Sequence, residues 1–313
     1  MLSRIADSMF WLNRYLERSE GMLRMLHTSY VLSLDKGPTG MNSWKPLLNI
    51  FTGLPEASIE LLENNHTEAV NLLLLDAKNL NSLKVILNRA RENARGMQDH
   101  VTKEVWEQVN HMYHIINSPK TAEQLHSSDN IGTIEHLLKN CLLYTGITDS
   151  TMPRGMSWSF MNLGKYIERC LMTIELIDKQ YKTIEYDMSQ SKDILYWRGL
   201  LFSLSGYEFH LKNYRSTDYN YNVAHQVIFN PQFPHSIMYS LSRIKKYLDD
   251  VVKENNPSEK YSLLKQFGRL YSHVEFADFE WIKRSGLPEY LGETRGNLLQ
   301  FSRSLSQSFF SYS

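Results

Sequence analysis

A seven-residue stretch near the start of the chain recurs near its middle. Leu12–Arg18 reads LNRYLER, and Leu163–Arg169 reads LGKYIER. A shift of 151 positions (163 minus 12) aligns the leucine, tyrosine, glutamate and arginine of the two stretches. Most of these residues are good helix formers. The fold of this chain must therefore use the same charged helical stretch twice.

Two further blocks repeat in the same order. Trp44–Leu48 matches Trp197–Leu201 at an offset of 153 (197 minus 44), and Leu75–Leu83 matches Phe229–Ile237 at an offset of 154 (229 minus 75). Both copies of the last block have an apolar run, a polar break and then a serine, which is favoured at a helix N-terminus. The small drift in offset predicts an internal duplication of about 150 residues.

The chain is predicted to be all-α. Apolar residues recur in steps of three and four through Ile5–Tyr30 and again through Leu163–Ile177, a pattern typical of long amphipathic helices. Glycine (15) and proline (9) are few in 313 residues, which favours long helices over many short strands. We expect a single large helical bundle, made of halves 1–150 and 151–313 that join near Gly146–Gly155, pack as one unit and are related by a pseudo-twofold axis.

The repeated stretches place charged side chains where a helix is expected to be buried. Arg14, Glu17 and Arg18 lie opposite the main apolar stripe at about 100° per residue, yet Phe10 and Met25 share that side. Charges between apolar neighbours indicate a face that packs on another helix. They either pair with each other across the axis or hold an anionic ligand. The candidate ligand-binding residues of these stretches are Arg14, Glu17, Arg18, Glu168 and Arg169.

One polar cluster occurs in only one copy of the repeat. Arg91, Glu92, Asn93 and Arg95 stand on a predicted helix, whereas the aligned segment Lys245–Asp249 does not repeat them. Two arginines one turn apart present two guanidinium groups on one face, which suits recognition of a carboxylate or phosphate. An asymmetric cluster on a repeated scaffold is typical of a single functional centre. The alternative is a structural network in which the cluster pairs with glutamates of the long helices: Glu17, Glu20 or Glu168.

Composition and motifs argue against several classes of function. The 34 basic and 34 acidic residues give zero formal net charge and form no basic block, which is untypical of a nucleic-acid-binding protein. The apolar runs are too short to span a membrane, and the first residues lack the pattern of a signal peptide. Neither a Gly-rich phosphate-binding loop nor a nucleophile-elbow motif occurs. Cys141 and Cys170 lie on apolar stripes, which predicts buried thiols in a reducing, cytoplasmic compartment.

Two Glu-x-x-His sequences match a spacing that di-metal helical bundles use. They are Glu63 to His66 and Glu123 to His126. They stand beside polar turns at non-equivalent positions of the repeat, and the further inward glutamates that such a site needs are not evident. His111 and His114, three apart on a helix, are more typical of solvent-exposed or core histidines. We therefore predict no metal and no other cofactor.

The chain resembles the bacterial alpha-E family over nearly its whole length. The resemblance rests on the two Glu-Arg helices, on Asn81-Ser82 before the segment Ala90–Arg95, and on Phe233-Pro234 before Ser236. Further residues that carry it are Met1 to Arg4, Trp11, Asp99, Trp106 with Asn110, and Arg154 with Trp158. Lys165 and His235 depart from the family pattern, which usually has arginine at both positions. Either departure weakens a bidentate contact to a carboxylate or phosphate.

The resemblance implies a helical protein that works beside an ATP-grasp-type ligase, with transglutaminase-like proteins as further neighbours. It therefore implies peptide or amide-bond chemistry. We expect an accessory or substrate-binding protein that holds a peptide or amino-acid carboxylate on the Arg/Glu/Asn face, with Arg154 among the ligand contacts. One alternative is a stand-alone transferase or hydrolase that uses Glu17, Glu92 or Glu168 as its acid/base. A second alternative is a purely structural scaffold.

Overall fold

The computed structural model describes residues 3–36, 44–62, 65–127, 130–189, 192–253, 260–280, 282 and 286–310. Within these ranges the regular elements are helices and no β-strand occurs. The predicted all-α class is therefore confirmed. Met1 and Leu2, which carry part of the family resemblance, lie outside the described residues, as does Glu63 of the first Glu-x-x-His sequence.

The chain divides into two compact units. One unit is Trp11–Pro153, and the other combines Met1–Phe10 with Arg154–Ser313. Because the first helix runs from Ser3 to Lys36, one boundary between the units falls inside that helix. The halves 1–150 and 151–313 and their pseudo-twofold relation stay a prediction.

The unit Trp11–Pro153 contains most of the first helix and seven further described α-helices. α6 packs on both α5 and α8, and α7 packs on α8. A short 3₁₀ turn, Gln98–His100, lies between α5 and α6. The helices are α1 (Ser3–Lys36), α2 (Lys45–Phe51), α3 (Glu56–Leu62), α4 (His66–Leu74), α5 (Leu83–Arg95), α6 (Lys103–Asn117), α7 (Pro119–His126) and α8 (Asn130–Thr151).

In the other unit, the helices that follow Met1–Phe10 have an order and lengths similar to those of the unit Trp11–Pro153. α13 packs along α9, and the last helix packs on both α14 and α9. The helices are α9 (Met156–Lys182), α10 (Ile194–Ser203), α11 (Tyr207–Asn213), α12 (Tyr219–Ile228), α13 (Ile237–Lys253), α14 (Tyr261–Glu275) and α15 (Leu287–Phe309).

Serine residues cap the N-termini of α5 and α13, as the sequence predicts. The hydroxyl oxygen of Ser82 accepts a hydrogen bond from the backbone N–H of Val85 at 3.4 Å. The hydroxyl oxygen of Ser236 accepts one from the N–H of Tyr239 at 2.9 Å. Such caps satisfy backbone donors that a helix N-terminus leaves unpaired. The starts of α5 and α13 are therefore encoded locally.

The turns before these two caps also share their hydrogen bonds. The N–H of Lys78 donates to Asp76 Oδ1 at 2.8 Å, and the N–H of Gln232 donates to Asn230 Oδ1 at 2.9 Å. Asp and Asn side chains commonly fold back on the backbone two residues later and fix a tight turn. Each bonded pair differs from its counterpart by 154 positions. The same turn is thus built twice by similar residues.

Glycine is required where α9 approaches the first turns of α1. A Cβ atom on Gly164 would lie 2.1 Å from the carbonyl oxygen of Phe10. The Phe10 ring in turn lies 5.2 Å from the ring of Phe310, and the Phe160 ring lies 5.4 Å from that of Phe309. An aromatic cluster therefore joins the beginning of α1 to α9 and to the end of α15.

Candidate functional site

The charges of the two repeated stretches are largely buried, as predicted. Glu17 is 5% exposed and Glu168 is 3% exposed, while Arg14 and Arg169 are each 8% exposed. Arg18 is half-buried. Burying a charge costs several kcal/mol unless it is paired or hydrogen-bonded. Each of these side chains has at least one polar or aromatic partner.

The arginine of each Glu-Arg pair ties its long helix to the turn before a serine cap. Arg18 Nη1 donates to Asn81 Oδ1 at 2.7 Å. In the other unit, Arg169 Nη1 donates to the carbonyl oxygen of Pro234 at 3.3 Å. The acceptor stands one or two residues before the capping serine in both cases. These contacts indicate a structural role for both arginines within their own units.

Arg14 and Arg154 stack on aromatic neighbours. The Arg14 guanidinium lies 4.7 Å from the Trp11 ring centroid, and that of Arg154 lies 3.7 Å from the Trp158 ring centroid. Stacking of this kind is worth about 0.5–1 kcal/mol at exposed sites and more when desolvated. The second stack joins Arg154, which precedes α9, to Trp158 in the first turn of that helix.

Arg91 is held in place by residues of α6. Its Nε donates to Asn110 Oδ1 at 2.8 Å, and its guanidinium carbon lies 4.3 Å from the Tyr113 ring centroid. The same guanidinium carbon lies 5.8 Å from the Trp106 ring centroid. A hydrogen bond and an aromatic surface together restrict a side chain that is otherwise flexible. Arg91, one-fifth exposed, therefore has a defined orientation.

Glu92 lies between the two arginines of the cluster. Its Oε1 accepts from Arg91 Nη1 at 3.0 Å, and its Oε2 lies 3.4 Å from Arg95 Nη2. The side chains of Glu92 and Arg95 are 55% and 60% exposed. Exposed ion pairs of this kind contribute about 0–1 kcal/mol to stability. We name the surface formed by Arg91, Glu92, Arg95, Asn110 and Tyr113 the α5–α6 arginine face.

Asn93 takes no part in this network among the described residues. At about 100° per residue it lies about 200° round the helix from Arg91, so adjacency in sequence does not place it on the same face. Asn110 and Tyr113 were missed as site residues, although Asn110 contributes to the family resemblance. Their spacing along α6 was a signal that could have identified them as partners of α5. Trp106, Asn110 and Tyr113 form a stripe on α6 that matches the stripe Asn88, Arg91 and Arg95 on α5.

The predicted site residues are distributed over both units. The arginine face, Arg14, Glu17 and Arg18 belong to the unit Trp11–Pro153, whereas Arg154, Glu168 and Arg169 belong to the other unit. Of the three acid/base candidates, Glu92 is exposed while Glu17 and Glu168 are buried. The partners of Arg91 are Asn110, Glu92 and aromatic rings of α6 rather than the buried glutamates that the structural alternative named.

The predicted histidine and cysteine positions have other environments. In the described part of the chain no group of three or more His, Cys, Asp or Glu side chains is placed to hold a metal ion. His111 and His114 instead line a cleft of about 720 Å³ with residues of α7 and α8. Cys141 and Cys170 are free and buried, as predicted. Burial raises the pKa of both thiols well above its ordinary value, so both are protonated at neutral pH.

The described residues form a helical protein in which two Glu-Arg pairs lie on long helices with their glutamates buried. The model of the Alpha-E family, a predicted alpha-helical domain with a conserved ER motif, matches residues 1–310. The chain therefore belongs to the Alpha-E family, and the resemblance inferred from the sequence is confirmed. Glu17-Arg18 and Glu168-Arg169 are the Glu-Arg pairs of this chain that fit that description.

The curated relatives that match are uncharacterized proteins of mycobacteria. One from Mycobacterium bovis and two from strains of Mycobacterium tuberculosis are each 21% identical over 310 residues, which cover 93% of this chain. The match covers 34% of each relative, so the chain spans about a third of their length. No solved structure matches the chain. Among the described residues, none of the helices is both long and apolar enough to span a bilayer.

Proposed function

We propose that this protein is an accessory, substrate-binding helical protein that holds a peptide or amino-acid carboxylate on the α5–α6 arginine face. One observation carries the proposal. The carboxylate of Glu92 already sits between the guanidinium groups of Arg91 and Arg95, at 3.0 Å and 3.4 Å. The two arginines are therefore spaced to hold one carboxylate between them.

An incoming carboxylate replaces that of Glu92 at little cost. The two exposed ion pairs of Glu92 contribute only about 0–1 kcal/mol each, and an incoming carboxylate forms charge-assisted hydrogen bonds to the same two guanidinium groups. Arg91 needs no reorganisation, because Asn110 and Tyr113 hold its guanidinium. Arg95 is exposed and adjusts to the ligand. The fixed arginine sets the position of the ligand, and the exposed one completes the contact.

Internal duplication is the second part of the proposal. Helix order, the serine caps and the preceding turns correspond at offsets of 151 to 154, which supports two halves of common origin about a pseudo-twofold axis. The aligned residues of the second half, Lys245, Lys246 and Asp249, do not repeat the two arginines around a carboxylate, although Lys245 keeps a stack on a tyrosine, Tyr271. Divergence of one copy at this place favours a function located there.

An ATP-grasp-type ligase is the proposed partner, with a transglutaminase-like protein as a further one. This part rests on the family resemblance. The matched mycobacterial proteins carry the similar region within chains about three times as long, as expected for a unit that acts beside other domains. Two free, buried thiols support the cytoplasm as the compartment. Copurification with the neighbouring ligase tests the partner separately, and failure to copurify would refute the partner but not the site.

Binding of matched peptides tests the site. The probes are one pool of tripeptides with free C-terminal carboxylates and the same pool as C-terminal amides, with affinity measured by isothermal titration calorimetry. We expect wild-type protein to prefer the acids, and Arg91→Ala or Arg95→Ala to weaken binding of the acids about tenfold or more. Arg89→Ala is the matched control, because this exposed arginine stands on the opposite side of α5.

Removal of the Glu92 carboxylate should change the affinity for the acids in the opposite direction. Glu92→Gln takes away the carboxylate that occupies the site, so we expect tighter binding of the acids than in wild type. Circular dichroism and thermal melting check that each variant folds. Equal binding of acids and amides by wild type, or unchanged binding by folded Arg91→Ala, would show that the arginine face is not the site.

A further inference from the structure

A cavity of about 480 Å³ lies within the unit Trp11–Pro153. Helices α1, α4, α7 and α8 contribute to its walls. Its polar lining includes Tyr30, His66 and Asn130, and Leu125 and Ile131 add apolar surface. Pockets that bind small molecules commonly have volumes of about 300–1,000 Å³ and combine apolar walls with a few convergent polar groups.

Two polar side chains converge on one ring nitrogen of His66 at this cavity. The Tyr30 hydroxyl contacts His66 Nε2, and Asn130 Nδ2 lies 3.0 Å from the same nitrogen. Burial raises the pKa of Tyr30 and lowers that of His66, so the phenol keeps its proton and the imidazole is neutral at neutral pH. A neutral imidazole carries its proton on one nitrogen and a lone pair on the other. With Nε2 as the acceptor, the phenol O–H and the amide N–H share one lone pair; with Nε2–H as the donor, the phenol oxygen accepts and its O–H is not used by the imidazole. Both tautomers leave donor capacity for another oxygen.

The corresponding place in the other unit is closed. Tyr181, Trp197 and Asn220 occupy the positions equivalent to Tyr30, Trp44 and His66 at offsets of 151, 153 and 154, and each is 0% exposed. Tyr181 donates to the Asn220 carbonyl oxygen at 2.5 Å, and Trp197 Nε1 donates to Asn220 Oδ1 at 3.1 Å. One asparagine thus satisfies both donors there. The helical scaffold does not itself require a cavity at this point.

The lining of the cavity favours an uncharged ligand. Among the described residues it contains hydroxyl, imidazole and amide groups but no side chain of Asp, Glu, Lys or Arg. An ionised group held against this lining would gain no counter-ion from the described residues, whereas a neutral group needs none. A neutral molecule with a carbonyl oxygen meets both requirements, because the oxygen accepts hydrogen bonds and carries no charge.

We propose that this cavity is a second ligand site, which binds a small uncharged amide or urea through its carbonyl oxygen. The carbonyl accepts from the Tyr30 hydroxyl and the Asn130 amide, and the apolar part of the ligand packs on Leu125 and Ile131. The site is separate from the α5–α6 arginine face. Its ligand is neutral, whereas that of the arginine face is a carboxylate.

Three probes that share one ring distinguish the charge of the ligand. Benzamide is neutral, benzoate is anionic and benzylamine is cationic at pH 7.5. We expect calorimetric titration of the full chain to show benzamide binding at least fivefold more tightly than either charged probe. Tyr30→Phe and Asn130→Ala should each weaken benzamide binding at least fivefold, and Tyr15→Phe, a change of the same type elsewhere on α1, should leave it unchanged.

A measurement on the wild-type chain tests the proposal even when a cavity variant does not fold. Nuclear Overhauser effects between the benzamide ring protons and the methyl groups of Leu125 and Ile131 are expected in the wild-type chain. Their absence at saturating benzamide would overturn the proposal. Tighter binding of benzoate or benzylamine, equal binding of all three probes, or unchanged affinity in folded Tyr30→Phe would overturn it as well.

Discussion

Gly164→Ala is expected to destabilise the protein, although alanine is the better helix former. Gly164 lies inside α9, where replacement of glycine by alanine ordinarily gains about 1 kcal/mol. Here the added Cβ would lie 2.1 Å from the Phe10 carbonyl oxygen and 2.9 Å from its carbonyl carbon. Both atoms belong to the backbone of a helix and cannot turn away as a flexible side chain would. The beginning of α1 must therefore move by about 1 Å relative to α9.

The free energy of unfolding that this displacement costs follows from the packing around Gly164. Overpacking a filled core costs about 1–3 kcal/mol, and contact with backbone places this site at the upper end. The shift also separates the Phe10 and Phe310 rings, which lie 5.2 Å apart. After about 1 kcal/mol of helix propensity is subtracted, the net loss is about 2 kcal/mol. It corresponds to a fall of Tm by about 4–8 °C for a unit of this size.

Differential scanning calorimetry of three proteins provides the test. Gly268→Ala is the matched control, because Gly268 lies inside α14 and an added Cβ meets nothing within 4 Å. We expect the control to melt about 2–4 °C above wild type and Gly164→Ala to melt below it. A Gly164→Ala protein that melts at or above the wild-type temperature would refute the close helix contact on which this reasoning depends.

Two further predictions concern buried titratable groups. Burial lowers the pKa of His66, His210 and His225 below the ordinary 6.5, so between the folded and ordinary pKa values the unfolded chain binds more protons. Their contribution to stability is therefore complete above about pH 6.5 and is lost as the pH falls below it. The urea midpoint should drop between pH 7.5 and pH 5.5; an unchanged or higher midpoint would contradict the buried, neutral histidines. Cys141 and Cys170 should not react with Ellman's reagent in the native protein and should both react in guanidinium chloride, whereas prompt labelling of native protein would show that a thiol is accessible.

Features that local chemistry determines could be predicted from the sequence. The long helices follow from the spacing of apolar residues, and the starts of α5 and α13 follow from Ser82 and Ser236, which bond to backbone only three residues away. Burial of Glu17 and Glu168 could also be inferred, because apolar residues stand a turn above and below each charge. These arguments need only one helix at a time.

Features that depend on helix pairing could not be predicted in the same way. Arg91 and its partner Asn110 are 19 positions apart, and only the packing of α5 on α6 brings them together. Asn93 was grouped with Arg91 by adjacency although it lies on another side of the helix. In the sequence, His66 ends a Glu-x-x-His spacing, whereas in the structure it contacts Tyr30, 36 positions earlier.

The division of α1 between two units affects how the chain folds during synthesis. Met1–Phe10 is made before Trp11–Pro153, yet it belongs to the same unit as Arg154–Ser313. The unit Trp11–Pro153 has all its residues before Arg154–Ser313 is translated, and domains generally form in that order on the ribosome. Phe10 must wait for Phe310, which is translated 300 residues later (310 minus 10). The turns of α1 before Trp11 therefore find their native contacts only after the rest of that helix has been enclosed in its own unit.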